Sequence, residues 1–182
     1  MIEMIDVLDE NGVKTGEVAT RTEVHQRGLW HRIVAIMIVD EKKRILLQQR
    51  SNDRITNPGK WDIAAAGHVD AREDALLTVM REAKEEVGVE ISDKCSAEDF
   101  RYVTCYREEK SFEHNGEDFI DKQFNDCFLL KNQKIDLANV RLQESEVQAV
   151  KFCSLEEFKQ MMRDGVLVNR KPFYDDILKI LD

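Results

Sequence analysis

The chain has no excess of positive charge. Its formal net charge at pH 7 is −9 over 182 residues, and its pI is close to 5.1. A protein of this charge is repelled by the phosphate backbone of nucleic acids and by anionic membrane surfaces. We therefore expect neither a nucleic-acid polymer nor a membrane as partner. A phosphorylated small molecule is still compatible with this net charge, because a bound metal ion can dominate the electrostatic potential at the binding site.

Cysteine frameworks are absent as well. Cys95, Cys105, Cys127 and Cys153 are scattered, with no CxxC pair and no zinc spacing, so we expect reduced and mostly buried thiols. The N-terminal segment has no basic region and no apolar run long enough for a signal peptide or a membrane span, which predicts a cytoplasmic protein. No repeat or low-complexity segment interrupts the chain, and its length predicts one domain over residues 1–182.

The most informative segment covers residues 67–89, GHVDAREDALLTVMREAKEEVGV. Apolar residues recur with helical spacing and predict a buried stripe made by Leu76, Val79, Met80, Ala83 and Val87. Glu82, Glu85 and Glu86 are spaced i, i+3, i+4 and therefore share about one helical turn. We expect one face of this helix to pack and the other to present negative charge.

The charge is unfavourably placed for a helix. Gly88 is predicted to end the helix, so the glutamates occupy the last turns, where the helix dipole makes each acid cost about 0.3–1 kcal/mol. A solvated charged face, with Arg81 paired to Glu85, is the ordinary interpretation of such a run. A divalent cation relieves the repulsion more completely, because Mg²⁺ takes oxygen ligands and is commonly held by carboxylates together with substrate phosphates.

The spacing of seven residues favours the cation. They are Gly67, Glu73, Arg81, Glu82, Glu85, Glu86 and Gly88. A fixed pattern that specifies all seven of these residues is matched by accident on the order of 10⁻⁸ per window, so chance does not explain the match. The segment resembles the signature of the Nudix hydrolase family, with one mild departure at Ala83, where the signature favours a bulkier aliphatic residue.

The resemblance implies a metal site for Mg²⁺ or Mn²⁺. Glu82 and Glu86 look like metal ligands, and Glu85 looks like a third ligand or the base that deprotonates water. All three are therefore predicted to be catalytic. Gly67 is similar to a sharp turn at which a backbone carbonyl reaches the metal.

Three further positions of the signature carry supporting roles. Glu73 and Arg81 look like an ion pair that braces the loop against the helix, and Gly88 ends the helix. The implied activity is metal-dependent hydrolysis of the pyrophosphate bond in a nucleoside diphosphate linked to another group, or in a related diphosphate. Several acids are needed, because metal ions must neutralise the phosphate oxygens and activate a water molecule. The alternative is a catalytically idle domain that senses a nucleotide-like ligand, and the intact glutamates favour the enzyme.

The rest of the chain predicts the remaining elements. Strands are expected over residues 1–8, 13–20, 31–39, 45–50, 61–69, 100–107, 119–130 and 147–152. Ser154 with Glu157 opens one C-terminal helix, which should stop near Gly165, and Pro172 begins another. This order is similar to the family fold, an α/β/α sandwich around a mixed sheet. We expect residues 1–27 to form an N-terminal hairpin extension and residues 154–182 to form the C-terminal helices. The sequence is also compatible with a homodimer.

A second resemblance concerns the histidines. His25, His31 and the Gly67-His68 pair, with the segments 58–61 and 152–155, look like the layout of isopentenyl-diphosphate isomerases, a branch of the same superfamily. In that branch three histidines and two glutamates hold a metal. The resemblance implies a second metal site at His25, His31 and His68, although isolated histidines near strand ends are more often structural.

The remaining isomerase positions do not match. Ala66 replaces the cysteine that moves a proton, Gln123 and Asn125 stand in the glutamate positions, and Phe152 replaces a tryptophan. Alanine cannot carry a proton between carbon atoms. The sequence therefore predicts an isomerase-related hydrolase rather than an isomerase.

An acid outside residues 67–89 can also take part. The candidates are Glu113, Glu117, Asp118, Asp121, Glu144 and Glu146, and the sequence does not choose among them. His114 lies in the same polar segment, predicted to be a loop near the mouth of the pocket. Arg50 ends a strand and is equally compatible with a phosphate contact and with an ion pair.

Overall fold

The described part of the chain folds into nine strands and four α-helices. The computed structural model describes residues 2–91, 96 and 98–182. The strands are β1 (Met4–Leu8), β2 (Lys14–Thr20), β3 (Trp30–Asp40), β4 (Ile45–Arg50), β5 (Trp61–Ile63), β6 (Ala65–His68), β7 (Phe100–His114), β8 (Glu117–Gln133) and β9 (Val147–Cys153). The helices are α1 (Arg21–Arg27), α2 (Ala75–Val87), α3 (Leu155–Arg163) and α4 (Lys171–Leu181), with a 3₁₀ turn at Leu137–Asn139.

Strand β3 lies at the centre of the sheet and separates two hydrophobic cores. Its side chains alternate, so that Ala35, Met37 and Val39 face one core and Val34, Ile36 and Ile38 face the other. The first core is closed by α3 and α4, and the second by α2. These layers make the α/β/α sandwich that was expected. Because both faces of β3 are buried, its sequence contains a continuous apolar run.

The sheet is mixed. β3 pairs in parallel with β8 and antiparallel with β1, β4 and β6. β7 and β8 form a long antiparallel hairpin, while β5 and β9 both pair antiparallel with β4. β3 and its parallel neighbour β8 therefore bring the histidine-bearing start of the domain beside residues about ninety positions later in the chain.

Most predicted strands and both C-terminal helices are confirmed, and three predictions need correction. The expected strand over residues 61–69 breaks at Ala64, because β5 pairs with β4 whereas β6 pairs with β3. The two strands around the polar segment are longer than expected and meet at a tight turn at Asn115–Gly116. The N-terminal extension contains α1 besides its hairpin, which was missed.

Two further expectations concern thiols and membranes. Cys127 and Cys153 are buried, Cys105 is exposed, and Cys95 lies outside the described residues. Among the helices that the structure describes, none has the length and apolar character needed to cross a membrane. A cytoplasmic location stays a prediction.

Candidate active site

Helix α2 is fixed by its two ends and by one buried face. Asp74 accepts a hydrogen bond from a backbone N–H of the first turn at 2.9 Å, and Gly88 ends the helix in the left-handed conformation, with φ 64°. Val79, Ala83 and Val87 are completely buried against the sheet. Because both ends and this face are fixed, the directions of the glutamates are fixed as well.

The glutamates do not form the solvated charged face that is the ordinary interpretation of such a run. Glu86 is 2% exposed, and the Glu82 side chain is 12% exposed. Only the Glu85 side chain, at 50%, is half in solvent. Glu82 and Glu86 are one helical turn apart and are therefore buried on the same side of the helix. Leu76, which was expected in the buried stripe, is instead 47% exposed.

Burial makes ionisation of this pair costly. Burial raises the pKa of Glu82 to about 7 despite the neighbouring Arg81, and the charges of Glu146 and Glu85 add to the increase. Burial, reinforced by Glu82 and Glu146, raises the pKa of Glu86 well above its usual range. Arg81 lies beside Glu82, whereas Glu86 has no ion-pair partner among the described residues, and carboxyl groups perturbed in this way mark a candidate functional site.

Two neighbours fit closely around these carboxylates. Gln48, buried on β4, donates a short hydrogen bond from Nε2 to Oε2 of Glu86. Gly67 lies directly against Glu82, so that a Cβ on this glycine would overlap the Glu82 carboxylate. Gly67 belongs to β6 and is not the sharp turn predicted from the sequence. It is required for space rather than for backbone conformation.

Arg81 links the acids around the pair. Its Nη1 donates to Glu82 at 2.8 Å and to Glu85 at 3.3 Å, and its Nη2 donates to Glu73 at 3.0 Å. Glu73 also accepts a hydrogen bond from the Thr78 hydroxyl at 2.7 Å. The ion pair predicted between Glu73 and Arg81 is therefore present. It ties the loop before α2 to the carboxylates at the end of that helix.

A cavity of about 1200 Å³ opens in front of these residues. Gly67, Glu82 and Glu85 line it on one side, and Phe112 and Phe119 of the β7–β8 hairpin line another part. The volume lies somewhat above the range of about 300–1,000 Å³ that is typical of small-molecule sites. A substrate in this cavity can touch the acids and the hairpin at once.

The three histidines converge at the wall of the same cavity, which His25 and His68 line while His31 is completely buried. His25, His31 and His68 come from α1, β3 and β6, and their ring centroids lie 5.2–5.4 Å apart. Each offers one ligand atom within 4.8 Å of the others. The structure therefore assembles the three positions that the sequence singled out, although they are up to 43 residues apart in the chain.

Hydrogen bonds orient the imidazoles. Nδ1 of His25 lies 2.8 Å from the carbonyl of Arg21, and Nδ1 of His31 lies 3.1 Å from the carbonyl of Leu29. A carbonyl at Nδ1 requires the proton there and leaves the Nε2 lone pair available. Nε2 of His31 and Nε2 of His68 are buried without a hydrogen-bond partner. Burial, with the charge of His68, lowers the pKa of His31 to about 3, so the ring is neutral.

Two carboxylates lie beside the histidines: Glu3, whose Oε1 is 3.1 Å from Nδ1 of His68, and Asp121. For Asp121 the contacts are with the other two rings. Its Oδ1 is buried without a hydrogen-bond partner and lies 3.5 Å from Nε2 of His25 and 3.6 Å from Nε2 of His31. Although burial opposes it, His25 lowers the pKa of Asp121. The sequence comparison had pointed instead to Gln123 and Asn125, further along β8. Asp121 precedes the first β8 residue paired with β3, so strand register, rather than sequence spacing, brings it to the cluster.

The structure separates the six candidate acids. Asp121 and Glu146 line the cavity, whereas Glu113, Glu117, Asp118 and Glu144 are not among its lining residues. His114 also lies outside the lining, at the hairpin turn. The polar segment was expected near the mouth of the pocket, but the side chains at its turn do not line the cavity.

Arg50 is held by the protein rather than free for a ligand. It donates to the Thr56 carbonyl at 3.0 and 3.1 Å and lies 3.7 Å from Asp62. Asp62 is completely buried and accepts two hydrogen bonds from Arg170, at 2.8 and 3.0 Å. Both arginines line the cavity, so this ion-pair network supports its wall.

Comparison with protein families gives a match over most of the chain. Residues 29–177 match the family model described as the NUDIX domain. "Nudix hydrolase 3" of Arabidopsis thaliana is 37% identical over 162 residues, which are 88% of this chain and 20% of that protein. The chain thus spans a fifth of that relative. "Isopentenyl-diphosphate delta-isomerase 2" of Homo sapiens is 28% identical over 174 residues, covering 88% of this chain and 73% of the human protein.

Solved structures share the fold. The DR0079 protein of Deinococcus radiodurans has a TM-score of 0.67 at 17% identity, covering 98% of this chain and 97% of that one. A MutT protein of Methanosarcina mazei Go1 has a TM-score of 0.55 at 24% identity, covering 84% and 93%. The same arrangement of sheet and helices therefore persists at low sequence identity.

Proposed function

The chain belongs to the Nudix family, and from this premise we propose that it is a divalent-metal-dependent hydrolase of a small molecule containing a pyrophosphate bond. The family match supports an enzyme of the Nudix pyrophosphohydrolase type. The metal ion, the residues that hold it and the class of substrate are the proposal.

The observation that carries the proposal is the buried pair Glu82 and Glu86. The pKa of each carboxyl is raised by burial and by neighbouring negative charge. The pair sits against Gly67, whose missing side chain leaves room beside Glu82. A hard divalent cation prefers such oxygen donors, and the donor set therefore fits Mg²⁺ or Mn²⁺.

We assign the ligand roles to α2. Glu82 and Glu86 would hold the ion, with the backbone carbonyl of Gly67 beside them. Glu85, which is half exposed and touched by Arg81, would serve as a third ligand or accept the proton of the attacking water. When bound, the ion supplies charge neutralisation of the phosphate oxygens and a more acidic water.

The neighbouring residues keep this arrangement in place. Gln48 fixes Oε2 of Glu86, and Arg81 fixes Glu82 and Glu85 while its other nitrogen holds Glu73. These bonds restrict rotation of carboxylates that repel one another. Catalytic groups that are held in place before the reaction cost no reorganisation during it.

We also propose a second metal site at His25, His31 and His68, with Asp121 as its carboxylate. Its support is the convergence of the three imidazoles, together with Nε2 of His31, Nε2 of His68 and Oδ1 of Asp121, which lack hydrogen-bond partners among the described residues. Isothermal titration of the metal-free protein with Mn²⁺ or Zn²⁺ tests it. His31→Gln should remove one binding event. His114→Gln, which changes the fourth histidine outside the cavity, should not.

A hydrolysis screen tests the activity. The metal-free protein is incubated with nucleoside triphosphates, nucleotide sugars, dinucleotides, coenzyme A and prenyl diphosphates, with Mg²⁺, with Mn²⁺ or with chelator. We expect metal-dependent cleavage of at least one class at the pyrophosphate bond. A protein that binds nucleotides and cleaves none of these compounds is a sensor, and the proposal is then wrong.

A further inference from the structure

The three imidazoles of the histidine cluster are oriented alike, but one of them is oriented by a side chain. Nδ1 of His25 and Nδ1 of His31 each face a backbone carbonyl, at 2.8 and 3.1 Å. Nδ1 of His68 instead lies 3.1 Å from Oε1 of Glu3. An oxygen atom of the protein therefore occupies Nδ1 of every ring. For His68 alone, a substitution can remove that oxygen.

Glu3 and Arg21 form one unit within the N-terminal extension. The carbonyl of Glu3 accepts a hydrogen bond from the backbone N–H of Arg21 at 3.0 Å, and Oε2 of Glu3 accepts one from Nη1 of Arg21, also at 3.0 Å. The carbonyl that faces Nδ1 of His25 belongs to Arg21. This unit therefore orients two of the three rings, His68 through the carboxylate and His25 through the first turn of α1. Both of its residues precede residues 29–177, which match the family model.

An ion pair that only anchors the extension is the simpler explanation. The side chains of Glu3 and Arg21 are both partly exposed, and such pairs contribute little to stability. Anchoring through Oε2 does not require Oε1 to lie on a ring nitrogen. Nε2 of His68 is buried without a hydrogen-bond partner, so a proton on Nε2 would be a buried donor without an acceptor. The contact with Glu3 therefore determines which nitrogen of His68 carries the proton.

We propose that Glu3 is a positioning residue of the histidine cluster, which keeps the proton of His68 on Nδ1 and thereby makes the lone pair of Nε2 available for a metal ion. This inference rests on the proposed second metal site. Glu3 does not touch the ion in this role. A carboxylate at one imidazole nitrogen makes the other nitrogen a stronger ligand, and loss of such a partner typically lowers metal affinity about 10–100-fold. The N-terminal extension thus takes part in the site through Glu3 as well as through His25.

Long-range NMR correlations between the protons and nitrogens of the imidazole rings, recorded on the metal-free protein, test the inference without any metal. The parent should carry the His68 proton on Nδ1, and Glu3→Ala should shift this ring towards the form protonated on Nε2. Glu17→Ala is the matched control, because it breaks an exposed pair with Arg27 in the same extension. It should leave the His68 signals unchanged. His68→Gln assigns those signals.

Titration calorimetry with Zn²⁺ measures the consequence for binding, at the event that His31→Gln removes. Glu3→Ala should weaken this binding by at least about tenfold. Glu3→Gln keeps an oxygen that can accept the Nδ1 proton but loses the charge, and it should weaken binding by about three- to tenfold. Glu17→Ala should change the affinity by no more than about twofold. Circular dichroism and the Tm without metal establish that each variant is folded.

The outcomes separate the inference from the proposals on which it rests. A His68 tautomer that is the same in folded Glu3→Ala and in the parent would overturn it, and so would a parent with the proton on Nε2. A lower Tm with unchanged tautomer and Zn²⁺ affinity would identify Glu3 as an anchor for Arg21 only, which also overturns it. If Glu3→Ala does not fold, Zn²⁺ affinity of Glu3→Gln equal to that of the parent would overturn it. A parent that binds no Zn²⁺ at the cluster would overturn the second metal site and the inference together, and would leave the hydrolase proposal intact.

Discussion

Gly67 lies against the carboxylate of Glu82 so closely that a Cβ on the glycine would overlap it. The two residues belong to β6 and α2, and their approach fixes how near the carboxylate can come to the strand. Gly67→Ala should therefore displace Glu82 without unfolding the domain, because the overlapping atoms belong to the end of a side chain. We expect Mn²⁺ affinity to fall at least about tenfold, measured by calorimetry. Unchanged affinity would show that Glu82 binds no metal in this position.

Glu86→Gln separates function from stability. Losing this carboxylate should remove most hydrolysis, because a metal ligand is lost. The Tm of the metal-free variant should equal or exceed that of the parent, since the amide removes an ionisable group whose charged form is disfavoured by burial and by Glu82. Added metal should stabilise the variant less than the parent. Unfolding of Glu86→Gln would instead point to a purely structural role for the hydrogen bond between Gln48 and Glu86.

The metal-free protein should lose stability as the pH rises towards 8. The folded-state pKa of Glu82 is about 7, above the ordinary value of 4.5, so its protonated form stabilises the fold fully at low pH and this contribution is lost as the pH rises through 7. The shift corresponds to about 3 kcal/mol at most. Denaturant unfolding at several pH values measures it, and Glu82→Gln should flatten the decline.

The buried histidines have the opposite effect on the pH dependence of stability, and they act at lower pH. Burial lowers the pKa of His31 and that of His68, so their contribution is present above about 6.5 and is lost as the pH falls below it. Between about pH 4.5 and 6.5 the increase caused by the histidines therefore opposes the decrease caused by Glu82, and only the decrease continues above about 6.5. A stability that rises steadily to pH 8 without metal would contradict the assignment for Glu82.

Isopentenyl diphosphate should not be isomerised. Ala66 lines the cavity where the isomerases carry a cysteine, and Asn125 on β8 offers an amide where they carry an acid. Neither residue can move a proton to or from carbon. Ala66→Cys alone should stay inactive, because the second proton-transfer group is still missing. Formation of dimethylallyl diphosphate by the parent or by this variant, followed by NMR, would refute the comparison with the isomerases.

The buried ion pair behind the cavity should be essential for stability. Asp62 is completely buried and neutralises Arg170 through two hydrogen bonds. Asp62→Asn leaves the guanidinium without its charge partner, and we expect a loss of about 3–5 kcal/mol in the free energy of unfolding. Asp175→Asn breaks the exposed pair with Lys171 and serves as control, with a change of at most about 1 kcal/mol. Similar losses in both variants would contradict the assignment.

Local signals predicted the elements well where packing agreed with them. Gly88 ends α2 and Ser154 caps α3, as expected from their residue types. Helix α1 was missed, although Thr20 and Glu23 form a complete capping box at its start. Its seven residues are too few to show a helical hydrophobic period, so the cap was the only strong local signal.

The sequence singled out the residues of the candidate site but not their burial or their contacts. Helical spacing grouped Glu82, Glu85 and Glu86, but only the packing of α2 on the sheet shows that two of them are buried and the third is not. Glu146 and Asp121 reach the cavity through strand pairing. Sequence spacing carries no information about such long-range contacts, because they are set by register.

The most direct test of the account is the rate of pyrophosphate cleavage by the parent, Glu86→Gln and Glu144→Gln, measured on the best substrate of the screen at saturating Mg²⁺. Inorganic phosphate or nucleotide product is quantified with and without chelator. We expect cleavage by the parent and by Glu144→Gln that chelator abolishes, and a rate for Glu86→Gln that is lower by at least about a hundredfold. Cleavage by Glu86→Gln at the rate of the parent, or cleavage that persists in chelator, would contradict it.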